Sequence, residues 1–221
     1  MGERRVPIPD RDPLTWGRAE RAGGDSLPVL RFAVLFYVGM GAAGALWIHL
    51  RGDPLAGTDP TAGVVGTLLW LERFLGPKPL VAIGLGVALG CLLIAVTRWL
   101  ETWGPVKRLI DGFASILGRV TGPQAIALAL ASSLGEELLF RGAMQPWLGI
   151  WLTSAIFGAC HFPLDRQFLA WPLFAFGAGV GLGYTADASG SLIAPIIAHF
   201  TVNWINLRHI TRIAQRAPRV G

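Results

Sequence analysis

Residues 79–100 read PLVAIGLGVALGCLLIAVTRWL, and Arg98 near the end is their one charged side chain. An α-helix advances about 1.5 Å per residue, so roughly 18 apolar residues cross a hydrocarbon core, and this run exceeds that length. A second run, Arg31 to Leu50, is almost wholly apolar and stops at Arg51, Gly52, Asp53 and Pro54, a charged turn. The whole chain of 221 residues is built the same way, with 52% hydrophobic and only 15% charged residues and a mean hydropathy of +0.51. Lipid suits that composition better than water does. Long helical runs, rather than short alternating strands, imply an all-α polytopic transmembrane helix bundle and not a barrel.

Outward from these two runs the chain divides readily. Residues 1–28 are polar, with Pro7, Pro9, Pro13 and scattered arginines, and no apolar core follows a short basic start as in a cleavable signal. They read as a loosely ordered cytoplasmic tail. Residues 29–122 form an N-terminal membrane region. Within it Thr61 to Leu75 is apolar but carries Glu72 and Arg73 and is short for a crossing, so it reads as interfacial or re-entrant. Val106, Leu109, Ile110, Phe113, Ile116, Leu117 and Val120 recur at three- and four-residue steps while Lys107, Arg108, Asp111 and Arg119 fall elsewhere. That is the pattern of a helix lying on the membrane surface.

Residues 123–208 carry the remaining crossings. One starts at Pro123, a residue favoured in a first turn, and runs to about Gln145, with a tight connection at Pro146 to Gly149. The next three are expected from Ile150 to about Phe162, from Trp171 to about Ala186, and from Ser191 to about Leu207. Residues 209–221 form a basic tail. The count is about six spans, with five to eight compatible with the same runs.

A pI of about 10.0 and a net charge of +5 are compatible with nucleic-acid binding, but the basic residues flank apolar spans instead of interleaving with aromatics on a polar surface. Arg98, Lys107, Arg108, Arg119, Arg166, Arg208, Arg212, Arg216 and Arg219 fall on one side together with the arginines of the N-terminal tail. Cytoplasmic flanks carry such an excess, which puts both termini in the cytoplasm. Lipid is then an expected partner and nucleic acid is not. Most tryptophans lie near span ends, as interfacial anchors do. Cys91 and Cys160 lie within apolar runs and offer no disulfide framework. Gly177, Gly179, Gly181 and Gly183 form overlapping Gly-x-x-x-Gly patterns suited to close helix packing or to a face that admits a substrate.

The anomaly is Gly135-Glu136-Glu137-Leu138-Leu139-Phe140-Arg141-Gly142, three charged side chains within an otherwise apolar helix. At mid-membrane three unpaired charges would cost roughly 8 to 10 kcal/mol on the milder insertion scale, so they require compensation. Arg141 follows Glu137 by four residues and shares its face, whereas Glu136 is turned about 140° away. Glu137 is therefore expected to be paired and Glu136 to be the freer carboxylate. Two further polar groups lie in apolar runs: His161, four residues after Phe157, and the pair His199 and Asn203, also four apart. With the turn centred near Leu148, Glu136 lies 12 residues before it and His161 lies 13 after it, at nearly one height on antiparallel helices. His199 falls within roughly 6 Å of that height on the same rise. One buried cluster is feasible on these depths.

Such a cluster suits hydrolysis of a peptide bond, which needs an activated water and donors to the oxyanion that forms. Glu136 would be the base, His161 would hold or shuttle the same proton, and His199 and Asn203 would offer two hydrogen bonds. The zinc-protease motif His-Glu-x-x-His is absent, and Ser132-Ser133 lacks the Gly-x-Ser-x-Gly setting of a nucleophile, so these hydroxyls read as helix packing. Zinc held by Glu136, His161 and His199 is an alternative, since two histidines and a carboxylate are a recognised set. A proton- or ion-coupled transporter could use the same charges, but it would be expected to show repeated spans with broken helices, and no convincing repeat is found. A non-catalytic membrane scaffold is the third reading.

At these motifs the sequence resembles the CAAX protease and bacteriocin-processing (CPBP) family, intramembrane glutamic endopeptidases related to the prenyl-protein protease. The family pattern Glu-Glu-x-x-x-Arg, Phe-x-x-x-His and His-x-x-x-Asn is met by Glu136-Glu137 with Arg141, Phe157 with His161, and His199 with Asn203, in order and in spacing. The resemblance covers about Pro123 to Leu207. It implies that Glu136, His161, His199 and Asn203 are catalytic, that Glu137, Arg141 and Phe157 support them, and that no metal cofactor is needed. The substrate implied is a membrane-associated protein or peptide. Ala, Gly and Arg richness points to a GC-rich bacterium, hence to the inner membrane and away from prenylated substrates.

Overall fold

The computed structural model describes residues 27–50, 74–117, 120–162 and 168–216. Of the expected interfacial segment at 61–75 all but the last two residues lie outside them, as do residues 1–26 of the N-terminal tail and 217–221 of the C-terminal one. Every regular element among the described residues is helical. Seven α-helices follow one another: α1 Leu27–Leu50, α2 Pro79–Leu100, α3 Gly104–Leu117, α4 Gly122–Glu137, α5 Gln145–Cys160, α6 Ala170–Ser189 and α7 Ile193–Arg216, with a π-helical segment, Leu138–Met144, joining α4 to α5.

The helix boundaries follow local chemistry. Thr121 accepts from the Gln124 amide while the Gln124 side chain accepts from the Thr121 N–H, a capping box that opens α4 with Pro123 in its first turn. Gly149 has φ +71 and breaks the helical course within Gln145–Cys160, so the chain turns back there, at the tight connection expected from Pro146 to Gly149. A side chain on Cβ would strain that backbone. Gly190, with φ +60, closes α6 in the same left-handed conformation.

Among the described residues two helices, Pro28–Leu50 and Pro79–Leu100, are long and apolar enough to cross a membrane, and the bent pair Gly104–Leu117 with Gly122–Cys160 would make a third. The six crossings expected are thus two or three by this measure. Polar and small residues explain the difference: the later helices carry Glu136, Glu137, Asp187, His199 and Asn203 or runs of glycine, all of which lower their hydropathy. The last helix also runs on to Arg216 instead of stopping near Leu207. Large apolar side chains point outward along the first two helices, Phe32 being 72% and Leu80 83% exposed, as lipid contact requires.

Glycine lets the helices approach almost to backbone contact. A Cβ on Gly44 of α1 would meet the Leu139 amide nitrogen at 2.7 Å, and one on Gly135 of α4 would meet the Tyr37 carbonyl. Helix α1 is thereby held against α4 and the π-helical segment, while α2 and α5 pack most extensively against α7 and α6 respectively. Helix α4 also packs on α7, bringing the acidic pair toward the second histidine.

Candidate active site

Glu136 and Glu137 are the last residues of α4, Arg141 sits in the π-helical segment, and His199 lies on α7; all four are buried. A π-helical turn gives up regular hydrogen bonds and is found often at functional sites. The Arg141 guanidinium donates to Glu137 Oε1 at 3.2 Å in a fully buried ion pair. Its other terminal nitrogen donates to the Gly179 carbonyl of α6 at 3.0 Å. A Cβ at Gly179 would stand 3.2 Å from that nitrogen, from Phe157 and from Ser154, so the bare backbone makes room for the contact. Phe157, the motif residue on α5, lies beneath the guanidinium with its ring centre 4.5 Å away and packs edge-on against Phe140. Charge pairing, a carbonyl and an aromatic face together compensate Arg141.

Glu137 Oε1 also meets His199 Nδ1 at 2.7 Å. A carboxylate accepts, so Nδ1 carries the hydrogen and Nε2 is left to face Glu136 Oε2 at 3.5 Å. The chain of contacts runs Gly179, Arg141, Glu137, His199, Glu136. Pairing of Glu137 with Arg141 agrees with their helical spacing, and Glu136 Oε2 has no hydrogen-bond partner within the protein.

His161 caps the end of α5. Its Nδ1 meets the Phe157 carbonyl at 2.7 Å, which, being an acceptor, fixes the hydrogen on Nδ1 and leaves a lone pair on Nε2 in the neutral ring. The ring packs against Phe157 at 4.6 Å and Trp171 at 5.0 Å between centres, and Phe157 also stands edge-on to His199 at 6.1 Å. His161 is thus joined to the acidic cluster through Phe157. Asn203 lies one turn beyond His199 and donates to Ser132 Oγ at 3.0 Å, keeping a second N–H on the same nitrogen. Among the described residues no group of three His, Cys, Asp or Glu side chains is arranged to hold a metal ion.

Sequence reasoning passed over two contributors. Tyr37 of α1 is in side-chain hydrogen-bonding contact with Glu136. It is one of only two tyrosines in the chain, and a phenol within an apolar run was a signal that it seeks a buried partner. Gln145 repeats the Arg141 contact one turn on, its amide donating to the Gly183 carbonyl at 3.1 Å and to Asp187 at 2.7 Å. Ser132, expected to serve packing alone, also carries the Asn203 bond.

Residues 119–205, which contain all three motifs, match the family model of type II CAAX prenyl endopeptidase Rce1-like proteins. The protein YpbD of Bacillus subtilis (strain 168), described as uncharacterized, is 31% identical over 136 residues, covering 58% of this chain and 70% of its own length. No solved structure matches the chain. With its motifs on three packed helices and its apolar outer faces, the chain belongs to the Rce1-like family of CAAX-type proteases, integral membrane peptide hydrolases.

Proposed function

We propose that this protein is a metal-independent glutamic endopeptidase that cuts a membrane-associated protein or peptide within a bundle of about six crossings in a bacterial inner membrane, both termini cytoplasmic. The observation that carries the reading is the approach of His199 Nε2 to Glu136 Oε2 at 3.5 Å, which brings a carboxylate oxygen without a hydrogen-bond partner and an imidazole nitrogen close enough to act on the same reacting group.

Glu136 takes a proton from a water molecule as that water attacks the scissile carbonyl. The carbonyl π electrons move to oxygen, and His199, protonated on both ring nitrogens, donates its Nε2–H to the oxyanion together with the second Asn203 N–H. Collapse of the tetrahedral intermediate breaks the C–N bond, and the proton on Glu136 passes to the leaving amine, restoring the carboxylate. His161, with its Nε2 lone pair, accepts or returns the same proton during the exchange. Arg141 and Glu137 hold the His199 ring by its Nδ1–H, and Phe157 holds both Arg141 and His161. Every group in this scheme comes from the chain or from water.

The test replaces Glu136 with Gln in the full-length protein and compares membrane-protein termini between cells carrying each form. New termini that depend on the native residue, with the variant equally abundant and equally heat-stable, support the endopeptidase. Unchanged termini would end this reading in favour of transport or a scaffold. Loss of cleavage should reach at least a hundredfold, since a general base contributes about that much or more.

A further inference from the structure

The matched family region begins at residue 119, so α1 lies wholly outside it, yet α1 reaches the acidic pair. We infer that Tyr37 is a positioning residue for Glu136: its phenol donates to one carboxylate oxygen and leaves Oε2 turned toward His199 and the reacting water. This rests on the endopeptidase reading above.

Three observations carry it. Tyr37 and Glu136 are in side-chain hydrogen-bonding contact, and Glu136 Oε2 has no partner within the protein, so the two oxygens of one carboxylate have unlike surroundings. Next, the backbone under Tyr37 is pressed onto α4 at Gly135, immediately before Glu136, with no room for a Cβ. The phenol therefore starts from a point fixed relative to the carboxylate. Last, Gly41 and Gly44, one and two turns beyond Tyr37, continue the same seam against Gly135 and the Leu138–Leu139 backbone, which prevents α1 from sliding. A free Glu side chain turns about three torsions; a donor anchored on a neighbouring helix removes that freedom, and an acceptor held in one orientation reacts more often per encounter.

The experiment is Tyr37→Phe in the full-length protein, which keeps the ring in its packing and removes only the hydroxyl. The expected result is a fall in kcat of roughly ten- to a hundredfold, the loss that follows from removing one hydrogen bond to a charged group, with KM and thermal midpoint nearly unchanged. The carboxylate stretch of Glu136, isolated in infrared spectra as the band missing from Glu136→Gln, should shift in Tyr37→Phe even without a substrate. Wild-type kcat in Tyr37→Phe, or an unmoved band, overturns the inference; a kcat loss matched by an equal fall in thermal midpoint assigns Tyr37 to packing and overturns it too. If Glu136→Gln itself cleaves normally, it is the endopeptidase reading that fails, and the band position still decides the contact.

Discussion

At the scale of single residues, the three charges at 136, 137 and 141 looked costly for an apolar helix, and each has a distinct compensation. Arg141 is the hub, bonded to Glu137 and to the Gly179 carbonyl over the Phe157 face. Breaking a buried pair by removing one partner costs more than the pair itself contributes, because the remaining charge stays in low dielectric. Arg141→Ala should therefore destabilise the protein by about 3 to 5 kcal/mol, read as a lower unfolding midpoint in detergent. Arg141→Lys should recover little of it, since an ammonium lacks the planar fork that reaches two acceptors at once. A midpoint in Arg141→Ala equal to that of the native protein would show that the guanidinium is not the hub. Spacing made the Glu137–Arg141 pair legible; the Gly179 carbonyl, on a helix with no ionisable group near it in sequence, was not.

At the scale of elements, helix ends and packing seams decide what meets what. The C-terminal end of α2 and the later part of α7 are joined by Glu101, which bonds His209 at 2.8 Å and Arg98 at 3.4 Å, while Arg98 also reaches Asn206. Burial alone would raise the Glu101 carboxyl, but its bonds to His209 and Arg98 outweigh that and hold it below the usual 4.5. A carboxyl depressed on folding stabilises above its unfolded value, and the contribution is lost as pH falls through the folded value. The gap in thermal midpoint between the native protein and Glu101→Gln should accordingly be full at neutral pH and narrow as acid protonates the carboxylate, below its usual range; a gap that does not narrow at any acid pH would exclude the carboxylate as its source. The amphipathic pattern from Val106 to Val120 is met by α3, and Pro123 by the capping box of α4. The π-helical turn that follows left no trace in periodicity.

At the scale of the whole molecule, the reading requires the bundle to cross the bilayer with both ends in the cytoplasm. With Cys91 and Cys160 replaced, a single cysteine introduced at either end of the chain should react with an impermeant maleimide only after inside-out vesicles are formed. Labelling of one end in intact cells would put an odd number of crossings in place of six. Family membership rests on residues 119–205, yet the fold packs α1 and α2 against that region, so an N-terminal half without a recognisable motif still shapes the acidic site. Composition and apolar run length alone determined a helical membrane protein, since lipid demands that each segment satisfy its own backbone hydrogen bonds, and motif spacing alone singled out the charged residues, since a lone charge in hydrocarbon is too costly to be incidental. Beyond the Glu137–Arg141 pair, which partner each of them takes was decided only by tertiary structure: the Tyr37 phenol, the Gly179 carbonyl and the two oxygens facing His199 come from helices distant in sequence, and helical periodicity states which face a side chain occupies but not which other face it meets.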